Sequence, residues 1–248
     1  MRVRMELLIR KLQASAGVSL GHDEIESLCS LDVKLVTIKS QQDVVREHEA
    51  ASFVTLVLEG FLCRYKIVAD GKRQVLSFHI PGDIPDLQSL HFSISDHNLC
   101  SLAPSKLALI SHATMEAFLD NHPRLAKLFW RDTLIDAAIF REWMTSIGRR
   151  ASFTRVAHLA CELIVRMRAV GLASDHAIKL PLKQTDIADA LGITPVHANR
   201  TIQELRRQGL IQFNNGELIA LHWERLKKAG EFDRTYLHMG DVAELKQA

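Results

Sequence analysis

The side chains best suited to recognising another molecule are concentrated in residues 184–211, QTDIADALGITPVHANRTIQELRRQGLI. Two short amphipathic helices are predicted here, separated by a tight turn at Gly192, because glycine accepts the left-handed backbone that such a turn requires. Thr194 and Pro195 are residue types preferred at the cap and the first position of the second helix. The exposed first turns of that helix carry hydrogen-bonding groups that suit the base edges and phosphates of double-stranded DNA.

Eight residues of the second helix and its cap are candidate DNA contacts. They are Thr194, Val196, His197, Asn199, Arg200, Gln203, Arg206 and Arg207. Arg200 is the candidate for reading guanine, because a guanidinium can donate two hydrogen bonds to guanine O6 and N7. His197 is expected to donate to a base or a phosphate, and Asn199 to contact the DNA backbone. Arg206 and Arg207 lie further along the helix and are expected to meet phosphates or solvent.

A β-hairpin is predicted directly after the second helix. Residues 210–221, LIQFNNGELIAL, contain two short runs around Asn214-Asn215-Gly216, and an Asn-Gly pair is a strong signal for a hairpin turn. Residues 149–209 carry ten basic and five acidic side chains, whereas the whole chain has 31 basic and 29 acidic ones. The hairpin and the local positive charge favour a winged helix–turn–helix that binds DNA over the alternative, a helical hairpin in an ordinary core.

The sequence upstream of this unit has a pattern typical of a β protein. Residues 31–112 contain the β-branched or aromatic runs KLVTI, FVTLVLE, FLCRYKIV, RQVLSFHI and KLALI, separated by turn residues. This spacing predicts an antiparallel sandwich or barrel. Asp70-Gly71 is suited to a hairpin turn between two of the runs. Residues 5–15 and 23–30 are predicted to form short helices before the strands.

A long helix is predicted from Pro123 to Gly148, with proline in its first turn. Its apolar side chains form two overlapping stripes, together wider than the ~100° that a helix needs to cover one partner. Such a helix is expected to contact two bodies, its own domain and a second copy of the chain. Leu128, Ile135 and Ile139 are the residues assigned to the contact with the second copy.

Four segments of the chain match the motifs of a known family, in the family's order. They are LEG at 58–60, RYKIVADGKRQVLSFHIPGD at 64–83, the helix to Gly148, and LKQTDIADALGITPVHANRTIQELRRQGLI at 182–211. In these residues the chain resembles the Crp/Fnr family of transcription regulators. The resemblance implies an α+β fold with an N-terminal antiparallel β-roll like those that bind cyclic nucleotides, a long dimerisation helix and a C-terminal winged helix–turn–helix. It also implies a homodimer that binds palindromic promoter sites and often activates RNA polymerase.

The resemblance and the texture of the chain together divide it into five parts. They are N-terminal helices at 1–30, a β-roll effector-type domain at 31–117, the dimerisation helix at 118–148, the winged helix–turn–helix at 149–230 and a C-terminal tail at 231–248. The last ~15 residues lack strong periodicity and are expected to fray.

Residues 84–105, IPDLQSLHFSISDHNLCSLAPS, depart from the family's cyclic-nucleotide cassette. Members that bind a cyclic nucleotide have a glutamate for the ribose and an arginine, followed by serine or threonine, for the phosphate. Here an aspartate stands near the glutamate position and a His-Asn pair about where the arginine would be. The candidate effector pocket therefore consists of Asp86, His97 and Asn98. No arginine or lysine occurs between Arg73 and Lys106. Because a buried phosphate without a cation is strongly destabilised, binding of cyclic AMP is not expected.

The second helix departs from the family pattern as well. Many members have a glutamate at the position of Val196 and a serine at that of Asn199, whereas the arginine is retained as Arg200. Loss of the glutamate removes an acceptor for the amine of cytosine. The DNA site of this chain is therefore expected to differ from the half-site best known for the family.

The cysteines argue against a metal cluster. They are Cys29, Cys63, Cys100 and Cys161. Only the first lies where oxygen-sensing family members carry a cysteine cluster, so an iron–sulfur centre is not expected. The others are far apart and without a CxxC pair, which is typical of buried thiols in a reducing compartment. Haem ligation by His79, His91 or Cys63 is an alternative that the sequence leaves open.

Two alternatives for the function stay open. A metal enzyme on a cupin-like β-roll would need an HxH pair and further ligands, and residues 31–112 contain no such pair. A regulator without an effector, controlled by its own abundance, is the second alternative. No GxSxG motif, Walker loop or apolar run near the ~18 residues of a membrane span occurs, and no signal peptide is recognised. We expect a cytoplasmic protein that is not an enzyme, with no membrane partner, no fixed cofactor and an unidentified small-molecule effector at most.

Overall fold

The computed structural model describes residues 2–239 of the chain, with side chains from residue 5 onward. The N-terminal half contains three helices and seven strands within these residues. The helices are α1 (Arg2–Ala16), α2 (His22–Ser30) and α3 (His112–Asn121), and the strands are β1 (Lys34–Ile38), β2 (Asp43–Val45), β3 (Phe53–Glu59), β4 (Leu62–Ile67), β5 (Arg73–His79), β6 (Asn98–Ser101) and β7 (Ser105–Ser111). The two helices predicted before the strands are therefore present as α1 and α2.

The seven strands form two antiparallel sheets, ordered β1-β7-β3 and β2-β6-β4-β5. Apolar side chains from both sheets meet in the interior and are fully buried: Val57, Leu62, Leu99 and Leu107. Gly71 has a φ of +80° in the tight turn between β4 and β5, a backbone angle that glycine adopts without strain. The antiparallel β-roll and its hairpin turn at Asp70-Gly71 are confirmed.

The turn that follows β5 fastens α1 to the β-roll. Gly82 has a φ of +97°, and a Cβ atom there would lie 2.8 Å from the carbonyl oxygen of Leu7 in α1. Only glycine allows so close an approach between the two backbones. Asp83 closes the turn, because its Oδ2 accepts a hydrogen bond from the backbone N–H of Ile80 at 2.9 Å. The Asp83 carboxylate is thereby held beneath α1.

The long helix is α4 (Pro123–Arg149), as predicted. It is separated from α3 by a break at His122, whose φ and ψ of −131° and 69° are not helical. The predicted domain boundary between residues 117 and 118 therefore falls inside α3. The backbone leaves the helical conformation at His122, which the sequence marks only through Pro123.

Leu128, Ile135 and Ile139, the residues assigned to the contact with a second copy, are packed within one protomer. These side chains are 9%, 4% and 5% exposed within one protomer, so they present almost no surface to a partner. Leu128 packs in a cluster with α1, α2 and β3, whereas Ile135 and Ile139 pack with β5 and α5. The sequence shows two apolar stripes but not which one the chain itself covers. The exposed apolar side chains of α4 are Trp130, Leu134, Phe140 and Met144.

In the C-terminal half, the residues described up to 239 form four helices and a small antiparallel sheet in the order β10-β11-β9-β8. The elements are α5 (Ser152–Ala169), β8 (Ala173–Ser174), β9 (Ala177–Lys179), α6 (Gln184–Leu191), α7 (Pro195–Arg207), β10 (Ile211–Asn214), β11 (Glu217–Ala220) and α8 (Trp223–Ala229). Strands β8 and β9 are too short for the sequence to predict them. None of the described helices is long and apolar enough to cross a membrane.

Residues 231–239 are packed, contrary to the expectation for the tail. Phe232 and Leu237 are buried, and the Tyr236 hydroxyl donates a hydrogen bond to Glu162 Oε2 in α5 at 2.9 Å. For residues 234–239 the expectation of fraying is wrong, because apolar side chains can anchor an irregular segment without any periodicity. The remainder of the predicted tail, residues 240–248, lies outside the described residues.

Glu162 joins the long helix α4, the helix α5 and the C-terminal segment. Its carboxylate is fully buried and accepts hydrogen bonds from Trp143 Nε1 at 3.0 Å and from Tyr236. Arg166 forms an ion pair with it at 3.1 Å. A buried carboxylate is tolerated when it is hydrogen-bonded in this way, so the three donors hold α4, α5 and the C-terminal segment together.

Candidate functional site

Helix α6 is set against α7 by a left-handed turn, as the sequence predicts. Gly192 has a φ of +64°, and Ala188 of α6 is fully buried. Asp186 stabilises the start of α6, because its Oδ2 accepts a hydrogen bond from the backbone N–H of Lys183 at 2.9 Å. A short α6 is therefore fixed at both ends before any partner binds.

The start of α7 has the predicted cap. Thr194 Oγ1 accepts a hydrogen bond from the backbone N–H of His197 at 3.2 Å, and Pro195 is the first helical residue. Ala198, Ile202 and Leu205 are buried on the opposite face of the helix. Thr194 therefore stabilises the start of α7, and the helix face opposite Ala198, Ile202 and Leu205 is turned away from the core.

Val196, Arg200 and Gln203 form an exposed row of candidate DNA contacts along α7. Val196 is 70% exposed, and Arg200 and Gln203 are also exposed. The Arg200 guanidinium makes no hydrogen bond or ion pair with any residue that the structure describes. Its five N–H groups are consequently available to a base edge or a phosphate.

Two other candidates are engaged with the protein itself. His197 Nε2 lies 2.6 Å from Ser152 Oγ at the first residue of α5, and Asn199 Nδ2 donates to Gln184 Oε1 of α6 at 2.6 Å. Both side chains link α7 to a neighbouring helix. The structure therefore gives them a part in holding α7, beside any contact they make with DNA.

The charges at the end of α7 are not equivalent. Arg206 donates to Gln203 Oε1 at 3.3 Å, whereas Arg207 forms a two-pronged ion pair with Glu204 at 2.7 and 2.9 Å. The hydrogen bond from Arg207 lowers the pKa of Glu204 to about 2. Glu204 is thus ionised at neutral pH and balances the charge of Arg207 on the exposed surface.

The hairpin after α7 has the geometry of a wing. Strands β10 and β11 pair from Ile211 and Ala220 to Asn214 and Glu217. Asn215 and Gly216 both have positive φ, 49° and 73°, as a two-residue turn of this type requires. The predicted winged helix–turn–helix is complete in these residues.

The candidate effector residues do not all lie together. Asp86 and His97 line one small cavity under the loop of residues 88–97, whereas Asn98 accepts a hydrogen bond from the backbone N–H of Glu47 at 3.0 Å instead. Asp86 Oδ1 accepts from the backbone N–H of Thr55 at 2.6 Å, and its Oδ2 has no partner among the described residues. Burial raises the pKa of Asp86 to about 6.

A larger cavity lies between the β-roll, α1, α4 and α5. It opens to solvent. Residues 84–105 contain no cationic side chain, but the fold brings three cationic side chains to this cavity from elements outside that segment. Lys11 comes from α1, Arg64 from β4 and Arg166 from α5.

Each of the three cations is paired with a carboxylate. Lys11 Nζ lies 2.7 Å from Asp83 Oδ1 and 2.8 Å from Asp132 Oδ2. Arg166 donates to Asp83 at 2.9 Å, and Arg64 forms an ion pair with Asp136.

The pairing fixes the charge of Asp83. Burial alone would raise the pKa of this carboxyl, but Lys11 and Arg166 beside it hold the pKa well below its usual value. Asp83 is therefore ionised, and it neutralises the cations that an anionic ligand would need.

These cavity residues could not be identified from the sequence, because they are far apart along the chain. Arg64 and Asp83 belong to the quoted 64–83 segment, but nothing in their spacing shows which cavity they reach. Lys11 lies on the first helix and Arg166 about a hundred residues beyond β4. The one usable signal was the Pro-Gly-Asp turn, which marks where Asp83 must sit.

The structure also shows where the possible metal ligands lie. All four cysteines are buried and free, as predicted for structural thiols. His79 is buried beside Ser77, with 2.8 Å between Nε2 and Oγ, and burial lowers the pKa of His79 to about 4. His91 is exposed. Residues 2–239 contain no group of three or more His, Cys, Asp or Glu side chains that could hold a metal ion.

Two protein-family models match the chain. A cyclic nucleotide-binding domain matches residues 35–122, and a Crp-like helix-turn-helix domain matches residues 154–229. The first match covers the β-roll with α3, and the second covers α5 to α8. Both halves that the structure shows thus correspond to known domains, in the order predicted.

Curated relatives extend across most of the chain. The nitrogen fixation regulation protein FixK of Bradyrhizobium diazoefficiens is 29% identical over 195 residues, which is 77% of this chain and 80% of that protein. The transcriptional activatory protein AadR of Rhodopseudomonas palustris is 26% identical over 194 residues, covering 77% of each chain.

Solved structures show the same fold. FixK2 from Bradyrhizobium japonicum superposes with a TM-score of 0.73 at 24% identity, covering 80% of this chain and 98% of that one. A Crp-family transcriptional regulator of Thermus thermophilus gives a TM-score of 0.62 at 17% identity, covering 79% and 97%. The β-roll, the capped recognition helix with its wing, both domain matches and the named relatives agree: this chain belongs to the Crp/Fnr family of DNA-binding transcription regulators.

Proposed function

We propose that the chain works as a homodimer that places α7 of each subunit in successive major grooves of a palindromic DNA site. The observation that carries the proposal is Arg200, exposed in the second turn of α7 and without a partner in the described chain. A guanidinium at this position of a recognition helix can pair with guanine O6 and N7. In a two-fold symmetric dimer the half-sites would lie about one helical turn apart.

The exposed face of α4 supports the dimer. Trp130, Leu134, Ala137, Arg141 and Met144 follow one another at alternating spacings of four and three residues, and all are exposed in the protomer. This alternation is the pattern of a coiled-coil seam, in which such positions pack against the same positions of a second helix. A parallel pairing of two α4 helices would remove this apolar face from water.

The remaining candidates receive supporting roles in the proposal. Val196 and Gln203 flank Arg200 on the open face and would contact neighbouring bases. His197 and Asn199 are tied to α5 and α6, so contact with phosphates suits them better than contact with bases. At the end of α7, Arg206 and Arg207 would contact phosphates.

The protein partners follow from the relatives. AadR is named a transcriptional activatory protein, and FnrL of Cereibacter sphaeroides is named a transcriptional activator. By analogy we assign RNA polymerase as the protein partner, the cytoplasm as the location and regulation without catalysis as the role. Transcription from a promoter that carries the selected site, with and without the protein, tests this assignment.

Cyclic AMP is not part of the proposal. Lys11, Arg64 and Arg166 are already paired with carboxylates in the larger cavity. A phosphate would therefore have to displace those carboxylates before it could bind the cations. The proposed regulator therefore acts without cyclic AMP, and control by its own abundance stays a candidate. Calorimetry with cyclic AMP is expected to show no binding at physiological concentrations, and a micromolar dissociation constant would contradict the proposal.

Selection of bound sequences from random DNA duplexes tests the proposed function directly. The full chain is incubated with the pool, with and without cell extract, and bound duplexes are sequenced. We expect a palindromic motif with a guanine in each half. Enrichment that depends on extract would reveal an effector, and failure to enrich any palindrome under either condition would refute the proposal.

A further inference from the structure

The β-roll makes a charged contact with the helix–turn–helix. Arg73, the first residue of β5, donates from Nη2 to Asp186 Oδ1 at 2.6 Å and from Nε to Asp189 Oδ2 at 2.7 Å. The two aspartates lie one turn apart on α6. Arg73, Asp186 and Asp189 form a clamp between the two halves of the protein, and the clamp lies outside the DNA-contacting face.

The clamp is shielded from water. The Arg73 side chain is 21% exposed, Asp186 1% and Asp189 28%, and the ring of Tyr65 covers the guanidinium at 5.9 Å. Charge-assisted hydrogen bonds with a guanidinium fork are directional, and shielding reduces their screening by salt. The contact therefore fixes an orientation rather than merely attracting two surfaces.

Asp186 also belongs to the start of α6. Its Oδ2 accepts from the backbone N–H of Lys183 while its Oδ1 accepts from Arg73. At the other end of α6, Arg155 of α5 donates from Nη1 to the carbonyl oxygen of Leu191 at 2.9 Å. Helix α6 is thus held on one side by the β-roll and on the other by α5.

The position of α6 determines the position of α7. The two helices are joined by the turn at Gly192, and Ala188 of α6 is fully buried beside that turn. We propose that Arg73 is a positioning residue for DNA recognition: by clamping α6 to the β-roll, it fixes the angle and separation of the two recognition helices in the dimer. This inference rests on the proposed function of a dimer on a palindromic site.

Two thiols lie beneath the same contact. Cys63 of β4 and Cys100 of β6 are directly opposite each other in the sheet, and they are 0% and 4% exposed. They belong to the core cluster that also contains Ile187, Ala190 and Leu191 of α6. Separation of α6 from the β-roll would expose this pair to reagents, so the two thiols report on the clamp without any DNA present.

The first experiment measures the tolerance of half-site spacing. The full chain and its Arg73→Ala variant are titrated with the selected palindrome and with duplexes whose spacer is one base pair longer or shorter. Lys72→Ala is the matched control, because Lys72 directly precedes Arg73 in the same hairpin. The Lys72 side chain is 81% exposed and forms an ion pair only with Asp70 among the described residues. We expect wild type and Lys72→Ala to prefer one spacing. In Arg73→Ala the preference should fall by about fivefold or more, corresponding to ~1 kcal/mol, while base preference within a half-site is kept.

The second experiment measures labelling of the thiols by a maleimide, resolved by mass spectrometry of peptides. In Arg73→Ala we expect Cys63 and Cys100 to react faster than in wild type, while Cys29, which is buried in a separate cluster with α1, keeps its rate. Asp189→Asn, which leaves the cap at Asp186 in place, should give a smaller change of the same kind. Equal acceleration at all four cysteines in both variants would show that the clamp only stabilises the fold.

The outcomes separate the two proposals. If wild type binds no palindrome, the proposed function fails whatever the thiols show. If wild type binds a palindrome with a preferred spacing and Arg73→Ala keeps the preference of Lys72→Ala, the positioning role alone is refuted. Unchanged labelling at Cys63 and Cys100 would also refute it, because α6 would then stay on the β-roll without the clamp.

Discussion

Replacement of Arg200 by alanine is the most direct test of how α7 reads DNA. Because the guanidinium is exposed and has no partner in the described chain, its removal breaks no internal contact. Surface substitutions of this kind change stability by about 0.5 kcal/mol or less. A change in DNA binding by Arg200→Ala would therefore come from the interface and not from the fold.

The expected loss follows from the chemistry of one two-pronged contact. A guanidinium paired with guanine contributes about 1–3 kcal/mol of discrimination, and a symmetric dimer contains two copies. The loss on a palindrome is then about 2–6 kcal/mol, which corresponds to at least ~30-fold in the dissociation constant. Preference at one base pair per half-site should disappear, while preference at the other positions is retained.

The assay compares Arg200→Ala with Arg207→Ala by titration on matched duplexes and on duplexes with single substitutions, at several salt concentrations. Arg207 is the control because its charge lies further along α7 and is balanced by Glu204. Its removal should weaken binding to all sequences alike and flatten the salt dependence by at most about one unit per contact. If Arg200→Ala keeps both its affinity and its base preference, the placement of α7 in the groove is wrong.

Three further changes test other parts of the structure. Leu134→Glu should give folded monomers in sedimentation, whereas Ile139→Glu should unfold the chain, because only the second buries a charge within the protomer. Glu204→Gln should strengthen DNA binding and steepen its salt dependence in titrations, because it frees the charge of Arg207. Asp86→Asn should stabilise the fold towards urea at pH 7 by up to roughly 3 kcal/mol, with no gain at pH 4. The sign follows because the Asp86 pKa is raised to about 6, so wild type loses stability as the pH rises from about 4 to 6.

Each of these three predictions has a result that would contradict it. Dimers of Leu134→Glu at micromolar concentration would place the subunit contact elsewhere. An unchanged salt dependence in Glu204→Gln would mean that Arg207 does not reach a phosphate. A gain of Asp86→Asn that is the same at pH 4 and pH 7 would mean that the pKa of this carboxyl is not raised by its burial.

The sequence predicts the recognition helix well because its determinants are local. The cap at Thr194, the proline after it and the left-handed Gly192 act within a few residues of the backbone they shape. The same holds for the hairpin turns at Asp70-Gly71 and Asn215-Gly216. Patterns of this kind can be read without knowing what packs around them.

Contacts between distant parts of the chain could not be predicted in this way. Leu128 and Leu134 are equally apolar, and only the packed structure shows that the first faces α1 while the second is exposed. Likewise, a search for cations within the cassette misses Lys11 and Arg166, because they enter the larger cavity from helices remote in sequence. The clamp at Arg73 is a third case, since its partners follow more than a hundred residues later.

The contacts made by residues 231–239 determine where the DNA-binding half should end if it is produced alone. The matching helix-turn-helix model ends at residue 229, which invites a truncation there. A chain shortened at that point would lack the Tyr236 hydroxyl, one of the donors to the fully buried Glu162, and the apolar anchors Phe232 and Leu237. A fragment for crystallography or nuclear magnetic resonance, or a fusion to another protein, should therefore run at least to residue 239.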